Sequence, residues 1–232
     1  MEEKDYYKLH KKNLNPLDIK IDCDSFEDEI SNYNFQPWCD INREFARYAV
    51  PLINLDGILK DDDPACYPLD RWNFIKEFPY FKYQVWYEEH TECWKDWIKT
   101  AQDTGFELDE LSFRNKTKIL DISSLNPLQK IKPFMVRSCI LKWDFNGHFF
   151  KHFDTWHPTK WLRLWGTTKP DGMTLRYEEN GEMIEEKNIE RGRIYLHDSI
   201  KLHEALAFTD NVYHFFIAVD LNAVPTLKKL LL

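Results

Sequence analysis

The chain has 232 residues, 43% hydrophobic and 16% aromatic, enough apolar surface for one sizeable core and a single domain over 1–232. A formal net charge of −8, with no basic stripe interleaved with aromatics, argues against a nucleic-acid partner, because phosphate neutralisation needs clustered Lys and Arg. Only seven glycines, and no GxGxxG or Walker-type run, argue against a glycine-rich phosphate cradle.

The opening MEEKDYYKLHKK is charged and lacks an apolar core, so it reads as neither signal peptide nor anchor. No apolar run approaches the roughly 18 residues of a membrane span. The cysteines Cys23, Cys39, Cys66, Cys93 and Cys139 are odd in number and have no CxxC spacing. They read as reduced thiols of a soluble cytoplasmic protein. Turn clusters stand at Asn13–Pro16 and Asp61–Pro64. Helical spacing predicts one helix from Ile41 to Tyr48 and a clearer one from Glu88 to Thr104. In the second, Cys93, Trp94, Trp97, Ile98 and Ala101 share a side, and Gly105 ends it. Such an aromatic stripe ordinarily faces a core. Residues 1–130 are therefore expected to be helix-rich and to pack on the outside of the C-terminal half.

From Pro133 onward the texture changes to short strands. Val136–Trp143, Trp161–Thr167, Arg193–His197, Leu202–Phe208 and Val212–Asp220 are rich in strand formers. Residues 173–187 form a hairpin signal, two extended runs joined across Asn180-Gly181, a pair that tolerates the positive φ of a tight primed turn. Several short strands with turns between them predict a sandwich or barrel, so the fold class is mainly β with flanking helices and an N-terminal helical layer.

Six of the eight histidines lie between residues 148 and 214. His152 and Asp154 are two positions apart and share a side if the backbone is extended. His203 opens a later strand. Two imidazoles and one carboxylate make the facial triad that holds Fe(II) and leaves three positions open for a cosubstrate and O₂. His148 and His157 read as non-ligands, with Pro158 marking a turn after His157.

Gly147, Phe149, His152, Asp154, Arg163, Gly192, Asp198, His203, Glu204 and Asp220 occur in an order that resembles the 2-oxoglutarate-dependent oxygenases. The nearest pattern is that of the aspartyl/asparaginyl β-hydroxylase-like group, which is similar also to the bacterial proline hydroxylases. The resemblance covers residues 134–222. It implies a double-stranded β-helix, the cupin-like jelly roll, with iron held by His152, Asp154 and His203. It also implies Fe(II) and 2-oxoglutarate as cofactor and cosubstrate, with O₂ consumed, succinate and CO₂ released, and a C–H bond hydroxylated. Related enzymes that chlorinate have a small residue where Asp154 stands, so hydroxylation is the implied outcome.

The family's arginine for the far carboxylate of 2-oxoglutarate is missing from "NVYHFFIAVD", where His214 takes its place with one residue inserted. Imidazole is a weaker anchor than a guanidinium fork, so Arg163 is expected to share the carboxylate with His214. Trp156, Trp161, Trp165 and His197 are candidate substrate-pocket residues. The expected substrate is a small molecule, an amino acid or its derivative rather than a peptide side chain. Two other readings stay open: a metal-dependent cupin-type enzyme that does not use 2-oxoglutarate, and a non-catalytic jelly-roll binding module.

Overall fold

A computed structural model describes residues 1–37, 46–55, 110–154 and 160–232. Their strands are β1 (Leu14–Lys20), β2 (Gln36–Pro37), β3 (Arg47–Leu55), β4 (Phe113–Lys116), β5 (Ser138–Trp143), β6 (His148–His152), β7 (Trp161–Thr167), β8 (Met173–Glu179), β9 (Glu182–Glu185), β10 (Arg193–His197), β11 (His203–Ala207) and β12 (Val212–Asp220). The helices are α1 (Glu3–Leu9), α2 (Cys23–Ile30) and α3 (Val224–Leu230), with several short 3-10 turns between residues 110 and 134. Among the described residues no helix is long and apolar enough to cross a membrane.

The strands form two antiparallel sheets. The larger runs β1-β10-β7-β12-β5-β3-β2, with β4 added on β3, and the smaller runs β6-β11-β8-β9. β12 is the larger sheet's central strand, hydrogen-bonded to β5 on one side and β7 on the other. Its run VYHFFIAVD is almost unbrokenly apolar because both faces are covered. Tyr213, Phe215, Ile217 and Val219 face a core completed by α1, α2, α3 and the 3-10 turns, through Leu9, Phe26, Ile30, Leu125 and Leu227. Val212, His214 and Phe216 face the other way, into the space between the sheets, with Trp143, Trp165, Leu175 and Tyr177. A strand's period of two thus assigns alternate residues to two different cores.

α2 shows how the outer layer is fastened. Cys23, Phe26 and Ile30 are buried on one side of it, while the Asp22 side chain accepts from the backbone N–H groups of Asp24 and Ser25 at the N-terminus. The Phe26 ring then sits 4.9 Å from that of Phe215 and 5.8 Å from that of Tyr213.

The expected strands Trp161–Thr167, Arg193–His197 and Val212–Asp220 form with those bounds, Val136–Trp143 begins at Ser138, and Leu202–Phe208 shortens to His203–Ala207. The hairpin turns where expected, with φ of 53° at Asn180 and 87° at Gly181. Residues 1–130 depart from a purely helical layer, because β1, β3 and β4 belong to the larger sheet. The turn read at Asn13–Pro16 is mostly β1, which tolerates Pro16 because it lies at the sheet's edge. Arg47 and Tyr48, read as the end of a helix, open β3, whose residues Val50 to Ile53 are all buried. Residues 41–45, the Asp61–Pro64 turn and the 88–104 helix lie outside the described residues, as do Cys39, Cys66 and Cys93. Cys23 and Cys139 are free and buried.

Gly192 joins the layers at the turn before β10. Its N–H donates to the Thr167 carbonyl, its own carbonyl accepts from Ile21 N–H, and its φ is +73°. A Cβ there would lie 2.3 Å from the Ile21 carbonyl oxygen and 2.8 Å from Cys23 Sγ. Gly192→Ala combines a strained φ with a backbone clash and should cost roughly 2 kcal/mol or more in urea denaturation. A loss within experimental error would show that the turn relaxes without cost.

Candidate metal centre

β6 and β11 are antiparallel neighbours in the smaller sheet, and their register sets His152 directly opposite His203. Directly opposed side chains share a face, and the two imidazole centroids lie 4.5 Å apart. Asp154 follows β6, its backbone N–H donating to the Ser199 carbonyl at 3.0 Å, which ties this segment to the turn between β10 and β11. Asp154 Oδ1 then lies 3.2 Å from His152 Nε2 and 3.8 Å from His203 Nε2. The expected triad is brought together, its ligand atoms all within 4.8 Å of one another.

Backbone carbonyls orient both rings. His152 Nδ1 donates to the Phe150 carbonyl at 2.5 Å, and His203 Nδ1 donates to the Lys201 carbonyl at 2.8 Å. A neutral imidazole that donates through Nδ1 presents a lone pair at Nε2. Burial pushes the His203 imidazole's pKa down, against the opposing charge of Asp154, so the neutral form is favoured. Burial also works against ionisation of Asp154, but the charge of the Arg163 guanidinium on Oδ2 opposes it, and the carboxyl is held well below its usual range. Two imidazole lone pairs and an anionic oxygen therefore converge on one point. A cation satisfies all three, and the N₂O donor set suits a first-row divalent metal.

The other carboxylate oxygen is held by the protein. Arg163 on β7 donates from Nε to Asp154 Oδ2 at 3.2 Å and from Nη2 to Glu110 Oε1 at 3.1 Å. Glu110 Oε1 also accepts from Arg137 Nη1 at 2.8 Å. The Phe216 ring covers the guanidinium, 3.8 Å from Cζ. Arg163, expected to reach a cosubstrate carboxylate, thus has two nitrogens on protein carboxylates, while Nη1 has no hydrogen-bond partner among the described residues.

The remaining candidates divide. His197 lies beside the triad, its Nε2 4.0 Å from Asp154 Oδ2 and its ring 4.7 Å from that of His203. Its Nδ1 is 2.5 Å from the hydroxyl of buried Tyr177. Burial and the neighbouring His203 depress its pKa well below the usual range. His214 is 2% exposed, 4.2 Å by centroid from Trp143 and 5.7 Å from Trp165, with no hydrogen bond at Nε2 among the described residues. Burial lowers its pKa to about 3, so it brings no charge to a carboxylate. Trp165 packs in the inter-sheet core, Trp161 is half-buried at the start of β7, and Trp156 and His157 lie outside the described residues. His148 stands apart from the triad, its Nδ1 donating to the Asn146 carbonyl. Sequence reading missed Glu110, Arg137 and Tyr177. The first two are distant from Arg163 along the chain, and Tyr177 carries no motif beyond its place on a predicted strand.

No protein-family model matches the chain, and no curated protein matches it.

The wild-type protein should bind one Fe(II) or Co(II) per chain at micromolar metal, and His203→Ala should lose most of that binding. Isothermal titration under anaerobic conditions checks both, and full occupancy in His203→Ala would break the triad assignment. His214 yields a separate prediction from its buried neutral ring. The unfolded chain protonates it below a pKa near 6.5, whereas the folded chain resists down to about 3. Its contribution is complete above that unfolded value and is lost as pH falls through the window, at up to about 1.4 kcal/mol per pH unit. Denaturation curves of His214→Leu should therefore show a shallower acid limb than wild type, and limbs of equal steepness would contradict this burial.

Proposed function

We propose that the chain is an Fe(II)- and 2-oxoglutarate-dependent dioxygenase that hydroxylates an unactivated C–H bond of a small molecule, an amino acid or its derivative. The two-sheet sandwich is read as a double-stranded β-helix of jelly-roll type, with the metal between the sheets. The observation that carries the proposal is the convergence of His152 Nε2, Asp154 Oδ1 and His203 Nε2, with both Nδ1 atoms committed to backbone carbonyls.

Iron with 2-oxoglutarate and O₂ supplies an oxidant for an unactivated C–H bond, one 2-oxoglutarate being converted to succinate and CO₂ per turnover. The protein's own residues do the rest. His152, Asp154 and His203 would hold the ion through two imidazole nitrogens and one carboxylate oxygen. With the ion bound, the anionic oxygen of Asp154 would take the place that a halide would need, which favours hydroxylation. Aromatics between the sheets, the buried Trp143, Trp165 and Tyr177 with the half-buried Phe216, exclude water from the reacting centre. Arg163 Nη1 and His214 Nε2 are buried polar atoms without hydrogen-bond partners among the described residues, and each offers one hydrogen bond to a carboxylate oxygen.

A second reading is a metal enzyme of the cupin kind that does not use 2-oxoglutarate. It is favoured by the neutral His214 on β12 and by the engagement of Arg163 with Asp154 and Glu110.

Anaerobic addition of Fe(II) and 2-oxoglutarate separates the two. The dioxygenase should develop a visible metal-to-ligand charge-transfer band and, on admission of O₂, release succinate. Iron binding with neither band nor succinate would reject the dioxygenase in favour of the second reading.

A further inference from the structure

Asp154 does not stand alone behind the triad. Behind its Oδ2 runs an unbroken line of buried charge: Asp154, Arg163, Glu110, Arg137. The side chains of the last three are 2%, 4% and 7% exposed, so water does little to screen them. They come from three separate segments, β7, the 3-10 turn at Glu110–Ser112 and the residue before β5. Arg137 also fixes Glu110 through the backbone, donating its N–H to the Glu110 carbonyl at 3.2 Å. The two guanidiniums and two carboxylates cancel in charge.

That cancellation matters for a divalent ion. An uncompensated guanidinium against Asp154 would draw the carboxylate's electron density away and repel the incoming cation. Glu110 offsets the Arg163 charge, and by holding Nη2 it also fixes where Nε points. Arg163 can then grip Oδ2 and leave Oδ1 turned toward the imidazoles, so Asp154 binds through one oxygen. Groups that orient metal ligands in this way often matter nearly as much as the ligands.

We infer that Glu110 is a positioning residue of the metal centre, acting through Arg163 to set the orientation and donor strength of Asp154. The inference rests on the metal reading of the triad, and goes beyond it by giving a role to a residue that touches neither ion nor substrate. The Glu110 Oε2 atom, buried and without a hydrogen-bond partner among the described residues, fits a residue whose task is finished by one oxygen shared between two arginines.

Anaerobic Co(II) titration, following the visible d–d bands, tests it. Wild type should bind one Co(II), and no binding there would overturn the metal reading and this inference together. Glu110→Gln keeps the shape and removes the charge. It should bind Co(II) roughly tenfold more weakly or worse, with displaced d–d bands, since loss of a ligand's supporting partner typically costs that much. Glu110→Asp keeps the charge on a shorter arm and should fall between the two. Wild-type affinity and bands in Glu110→Gln would overturn the inference while leaving the metal reading standing. If Glu110→Gln does not fold, the same result in Glu110→Asp would overturn it.

Discussion

A carboxylate taken out of water between two sheets needs compensation at both oxygens, and among the described residues Asp154 has a cation on only one. Oδ2 has the Arg163 guanidinium at 3.2 Å, whereas Oδ1 faces two imidazoles whose donor nitrogens are already spent on backbone carbonyls. Taking charge out of water is costly unless it is paired, so this half-compensated carboxylate is the centre to which the surroundings must answer. The pairing of β6 with β11 brings the imidazoles in, β7 carries the arginine, and the turn between β10 and β11 holds the backbone of Asp154.

The architecture makes this possible because the larger sheet is insulated from solvent on both sides. Its outer face is sealed by helices and 3-10 turns, and its inner face looks onto the smaller sheet. Arg163 can then sit 2% exposed, its face against Phe216, without water competing for its hydrogen bonds. His214 on the neighbouring strand is as fully buried, at 2% exposed.

The C-terminal half was readable because its signals are local. His-x-Asp is a pattern of neighbours, Asn180-Gly181 marks a turn by its own backbone preference, and the strands Trp161–Thr167 and Val212–Asp220 are dense in strand formers. The N-terminal part was harder for identifiable reasons. β1 carries Pro16, which reads as a breaker until its edge position is known, and β3 is buried from Ala49 to Asn54 and contains Pro51, so it lacks the alternation of a half-exposed strand. Glu110 and Arg137 were silent, because a single charged residue has no periodicity and their partner lies elsewhere in the chain. The triad could be read as three ligands. What holds the middle one in place could not.

The alternation along β12 has a consequence for how this protein can change. From Val212 to Val219, even-numbered positions face the inter-sheet core and odd-numbered ones the helical core, so neighbouring codons answer to different selective demands. Val212, His214 and Phe216 answer to the packing between the sheets, while Tyr213, Phe215, Ile217 and Val219 answer to the packing beneath the helices. The same arrangement makes the strand intolerant of length change. Deleting one residue would exchange the two faces, driving an imidazole into the helical core and setting differently shaped side chains between the sheets. Divergence along this strand should therefore proceed by substitution and almost never by insertion or deletion.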